Sequence, residues 1–98
     1  SDLLMGSWLW AGRTFVSRRM QKRADNHNRV LVEVLRAIDD APDLDGVIVQ
    51  KRRLLKILED VLDDVETEAI TPAHFQGFAL GWEAAHDALR DRERDLRG

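Results

Sequence analysis

The stretch Val47 to Ala69 has the most regular arrangement of apolar and polar positions in the chain. At about 100° per residue, Val47, Leu54, Leu58, Val61, Leu62 and Val65 share one side, and Ile48, Leu55, Ile57 and Ala69 widen it. Arg52, Arg53, Lys56, Glu59, Asp60, Asp63, Asp64 and Glu66 take most of the other side. The apolar sector covers close to half the cylinder, wider than the ~100° stripe of a helix resting on one neighbour. Such a helix needs packing partners on two sides. The pattern therefore predicts a central helix over about residues 45–69, inside a bundle.

The segments on either side supply the partners. From Asp25 to Asp40, Val30, Leu31, Val34, Leu35 and Ile38 recur with a helical period, and His27 lies one turn earlier on the same face. Asp25 is a candidate N-cap for that helix; equally, the helix can run in from the first segment. Ala41-Pro42 ends it, because the residue before proline disfavours the helical region. Asp43 or Asp45 then caps the central helix. After it, Thr71 reads as an N-cap, Pro72 as the first helical residue, and Ile70 as packing on Phe75 in a hydrophobic staple. The last helix runs to about Arg97, with Gly98 as its stop. The expected fold is all-α, an antiparallel bundle of three long helices over residues 25–98. Residues 1–24 form a basic, Trp-rich arm and a candidate fourth segment.

That arm is patterned differently. Leu3, Leu4, Met5, Trp8, Leu9, Trp10, Phe15 and Val16 point all around a helix, the pattern of an element apolar on every side. The run is shorter than the ~20 apolar residues of a membrane span. Two readings stand. Leu3 to Val16 are the last turns of a membrane helix that begins upstream, or they form an amphipathic helix whose tryptophans cap the bundle. In the first, Trp8 and Trp10 sit at the interface, and Arg13, Arg18, Arg19, Lys22 and Arg23 form the positive cytoplasmic flank.

Composition sharpens these expectations. Ninety-eight residues with 44% hydrophobic and 34% charged side chains make one globular domain, and no cysteine supplies disulfides or thiolate ligands. The net charge of −3 is uneven: residues 1–24 hold five basic side chains against Asp2, so the remainder is −7. In the central helix, Lys51, Arg52, Arg53 and Lys56 precede Glu59, Asp60, Asp63, Asp64, Glu66 and Glu68. This order opposes the helix dipole, which favours acids first and bases last. An antiparallel first helix compensates, with its basic end beside the acidic end of the central helix and Asp39 and Asp40 beside Lys51 to Lys56.

Candidate chemistry is sparse. Glu83 and His86 form one E-x-x-H, whereas di-iron bundles need two such motifs and further glutamates. A metal-binding bundle built on Glu83 and His86 is therefore an alternative reading, and no cofactor is expected. Asp43 to Ile48 imitates half of a calcium loop, but Ala41 and Arg52 fall where acidic ligands belong. The basic runs lack interleaved aromatics, so a small nucleic-acid-binding regulator is a further alternative and nucleic acid is not the expected partner. No nucleophile motif or phosphate loop is present, and the expected protein is not an enzyme. In the last helix Gly77, Gly81, Ala84 and Ala88 form a row of small residues. This is the candidate helix-contact face: it abuts a neighbouring helix within one bundle, or it is the self-association face of a homodimer, the expected partner.

The runs HNRVLVEVLRAIDDAPDLD and FQGFALGWEAAHDALRDRE follow a Trp- and Arg-rich entry. Together they resemble the cytoplasmic tail behind the membrane helix in some TAXI-type TRAP transporter solute receptors. The resemblance spans roughly residues 3–95 by pattern, and the ligand-binding lobes of that family lie outside it. It implies a non-catalytic interaction and oligomerisation module of a bacterial uptake or sensing protein, cytoplasmic and at the inner face of the membrane.

Overall fold

The computed structural model describes residues 17–98. They form three helices, α1 (Arg18–Asp39), α2 (Leu44–Glu66) and α3 (Pro72–Arg97), and no strand is present among the described residues. The expected all-α three-helix bundle is the fold observed.

Each helix starts on a side chain that satisfies an otherwise unpaired backbone N–H. Ser17 Oγ accepts from the Met20 N–H at 3.1 Å, so α1 begins there and not at Asp25, which instead accepts from Gln21 Nε2 at 2.9 Å. Residues 18–24, read from the sequence as the end of an arm or as helix running in from it, are thus the first turns of α1. Arg18 to Ala24 holds no helix breaker and several good helix formers. Asp43, in an extended conformation, accepts from the Gly46 N–H at 2.8 Å and opens α2. Thr71 Oγ1 accepts from the His74 N–H at 3.2 Å and opens α3 with Pro72 in its first turn.

The end of α2 departs from expectation. The helix stops at Glu66, with Glu68 in the left-handed region at φ 59°. The Ala69 N–H donates to the Asp64 carbonyl at 2.7 Å, and the Glu68 N–H to the Val65 carbonyl at 3.1 Å. These two bonds make a Schellman cap, a position usually held by glycine. With glutamate there, the residue type does not announce the turn.

Connections of a few residues make consecutive helices antiparallel neighbours. Ala24, Leu31, Val34 and Ile38 from α1 meet Val47, Leu54, Ile57 and Val61 from α2 and Phe78, Ala85 and Leu89 from α3 in one core. Ala41 and Ile70, one in each connection, are buried at its two ends, and Phe75 packs against it. Beside the His74–Gln21 side-chain contact at 3.3 Å, two long-range hydrogen bonds to main-chain carbonyls fix α3 to the rest. The Arg92 guanidinium donates through Nε (3.1 Å) and Nη2 (2.7 Å) to the Ala41 carbonyl. Trp82 Nε1 donates to the Leu54 carbonyl at 2.8 Å. No helix among the described residues is long and apolar enough to cross a membrane.

Candidate functional site

The apolar face of α2 divides into two parallel lines. Val47, Leu54 and Val61 are at most 3% exposed, whereas their successors Ile48, Leu55 and Leu62 are 46%, 48% and 47% exposed. Residues seven apart are two turns apart and drift only ~20° around an α-helix. Ile48, Leu55 and Leu62 therefore form a nearly straight ridge beside the core line. Leu44 continues the ridge at the start of the helix, and half-buried Leu58 and Val65 border it on the core side. The ridge lies on the flank opposite α1: Asp64, which meets α1, is two residues and about 200° from Leu62. The sequence reading placed these leucines and the isoleucine in the core-forming sector. The two intramolecular partners it required are present, and the sector is wide enough to leave one edge in solvent.

The opposite flank of α2 holds a buried ionic centre. Asp64 is the buried charged residue among those described, with its side chain 4% exposed. Its Oδ2 accepts from Arg23 Nε at 2.7 Å and lies 2.5 Å from His27 Nε2. The hydrogen bond from Arg23 holds the carboxyl below the usual carboxylate range; burial opposes that effect, and the His27 contact adds to it. Here the basic end of α1 lies beside the acidic end of α2, as the charge order suggests. The other half of that expectation is not realised. Asp39 and Asp40 are exposed, and among the described residues neither forms an ion pair with Lys51 to Lys56. Lys56 instead bonds Asp60 at 3.1 Å and Arg53 bonds Gln50 at 2.9 Å, both within α2. The basic half of α2 thus has no acidic partner from another helix among the described residues.

The small-residue row of α3 is split by the fold. A methyl group on Gly81 would lie 3.0 Å from Leu31 Cδ2, so this glycine admits α1 closely. Ala88 is half-buried against the core. Gly77 faces open space and Ala84 is exposed. Glu83 is exposed, while the His86 ring stacks on Trp82 with centroids 5.3 Å apart and planes 9° from parallel. Among the described residues no group of three or more His, Cys, Asp or Glu side chains is placed to share a metal ion. Of the basic residues assigned to an anionic surface, Arg18, Arg19 and Lys22 are exposed on the first turns of α1, and Arg23 is committed to Asp64. Trp8, Trp10 and Arg13 lie outside the described residues.

Three features were not singled out from the sequence: the exposed ridge, the burial of Asp64 and the Arg92 clamp. For Asp64 a signal exists, since it follows buried Ile57 by seven residues and so shares its face. No family model, curated protein or solved structure matches this chain.

Proposed function

We propose that this chain is a non-catalytic helical module that binds another protein chain through the ridge of α2. One observation carries the reading: Ile48, Leu55 and Leu62 are about half exposed on a helix whose adjacent line is fully buried. Large apolar side chains aligned in solvent are costly to leave uncovered and mark contact surfaces. A seam with heptad spacing suits a partner helix.

We extend the reading to an address beside a membrane. Its support is the exposed cluster Arg18, Arg19 and Lys22 at the start of α1, preceded in sequence by Trp8 and Trp10, together with the likeness to TRAP receptor tails. Clusters of this charge attract anionic lipid headgroups. The TRAP-like uptake or sensing role follows from the same likeness.

A photoreactive amino acid at position 55 of the chain, illuminated in cells producing it, tests both parts. The expected result is a covalent adduct with a protein, recovered in the membrane fraction, with no adduct from a probe at exposed Glu33. Absence of any adduct at position 55 would remove the interaction reading. An adduct confined to the cytosolic fraction would remove the membrane address alone.

A further inference from the structure

We infer that the partner of the α2 ridge is a second copy of this chain, with the two α2 helices paired antiparallel about a twofold axis. The inference rests on the interaction reading above and names its partner.

The seam has the spacing of a coiled coil. Ile48, Leu55 and Leu62 occupy one heptad position, and Leu44, Lys51, Leu58 and Val65 the alternate one. A 23-residue helix is about 34 Å long, enough for three heptads. With the twofold between Leu55 and Leu58, Leu55 of one copy meets Leu58 of the other, and Ile48 meets Val65. Lys51 lies level with Leu62 and carries its ammonium outward. Ile48, Leu55 and Leu62 then each have an apolar neighbour or an aliphatic stem, and Leu44 lies level with Ala69, past the end of α2. Elsewhere among the described residues, exposed Val32, Val49 and Leu80 have no large apolar residue seven positions away on the same helix.

Charge selects the direction and the copy. The first half of α2 is basic, the second half acidic, and that basic half has no acidic partner from another helix of its own bundle among the described residues. A parallel copy would set like charge on like. An antiparallel copy sets each basic half against an acidic half, which offsets the unfavourable order relative to the helix dipole. The edge of the seam makes this specific. Asp45, Arg52, Glu59 and Glu66 recur at seven-residue intervals along the outer border, all exposed. In the antiparallel register Arg52 of each copy lies beside Glu59 of the other, so symmetry produces the pair twice. Asp45 and Glu66 also approach across the axis and oppose the pairing there, but at the helix ends, where both carboxylates stay hydrated. A self-complementary patch of this kind is what a twofold dimer requires.

Sedimentation of the full chain over a wide concentration range, at low salt, tests the pairing. Wild type is expected to pass from monomer to dimer. Arg52→Glu and Glu59→Arg should each weaken the dimer by about tenfold, because each replaces two attractions with two repulsions. The combined Arg52→Glu/Glu59→Arg protein should recover most of the loss. Both positions are exposed, and circular dichroism of each variant checks that the helices are retained. A wild-type chain that stays monomeric overturns the inference, as does a dimer insensitive to either reversal or a double variant no stronger than the singles. The photo-adduct at position 55 separates this failure from that of the broader reading. An adduct with a different protein overturns self-pairing and leaves the interaction module standing; one that joins position 55 to residues 1–16 of the same chain overturns both.

Discussion

Leu54→Ala is expected to lower the unfolding free energy by about 3 kcal/mol, and Leu55→Ala by about 1 kcal/mol or less. The measurement is urea unfolding at protein concentrations dilute enough to hold the chain monomeric. The two substitutions delete the same atoms one residue apart, so helix propensity and unfolded-state effects are shared. They differ in surroundings. Leu54 is 1% exposed in the core between α1 and α3, and its loss leaves a cavity that rigid neighbours refill only in part. Leu55 is 48% exposed, so roughly half of its side chain has no protein contact to lose. Near-equal losses would mean that Leu55 is part of the fold. A ratio of about three or more means that the ridge is spare surface in the monomer.

The second large effect lies on the other flank of α2. Asp64→Ala is expected to cost about 2 kcal/mol, from the lost charge-assisted bond to Arg23, the lost His27 contact and the void left at the α1–α2 seam. The figure falls below the ~3–5 kcal/mol of a fully buried broken pair, because the Arg23 side chain is 52% exposed and stays largely hydrated in either case. The pH dependence has a definite sign. The folded carboxyl titrates below its ordinary value while the unfolded one titrates near ~3.9, so the unfolded chain binds the proton more readily. The stabilisation is complete above about pH 4 to 5 and is lost as pH falls through the lowered folded value. Urea midpoints measured down the acid range should therefore fall for wild type and fall less for Asp64→Ala. Parallel curves would show that Asp64 does not carry the acid sensitivity.

What could be read from the residues divides along physical lines. The starts of α2 and α3 were legible because an N-cap is a local device: Asp43 and Thr71 each accept from an N–H three residues ahead, with no help from the rest of the fold. The end of α2 was not legible, because Glu68 takes a left-handed conformation that residue identity would assign to glycine. Asp25 was a plausible cap, but Ser17 lies earlier with no helix breaker in between.

The candidate site shows the same division. Periodicity identified Ile48, Leu55 and Leu62 as apolar and on the wide face of α2, yet period alone does not distinguish a partner within the chain from one outside it. Only the packing of α1 and α3 shows which edge they leave uncovered. The charge order foretold that basic α1 meets acidic α2, and Arg23–Asp64 is that meeting. It also led to a pairing of Asp39 and Asp40 with Lys51 to Lys56 that does not form, since all of these side chains are exposed and water solvates them well. The reach of Arg92 to the Ala41 carbonyl, 51 positions away in sequence, depends on tertiary placement and has no local signature.

The central claim is that the outer edge of α2 serves association and not the fold of the single chain. Its most direct test is thermal unfolding of Ile48→Gln/Leu55→Gln/Leu62→Gln beside wild type, followed by circular dichroism at several protein concentrations. Glutamine keeps helix propensity and removes the apolar ridge. The expected result is a fully helical variant that still melts cooperatively at a concentration-independent midpoint, while the wild-type midpoint rises with concentration, as linkage to association requires. A variant that loses its helices or its cooperative transition would contradict the claim; a wild-type midpoint that does not move with concentration would overturn the self-pairing alone.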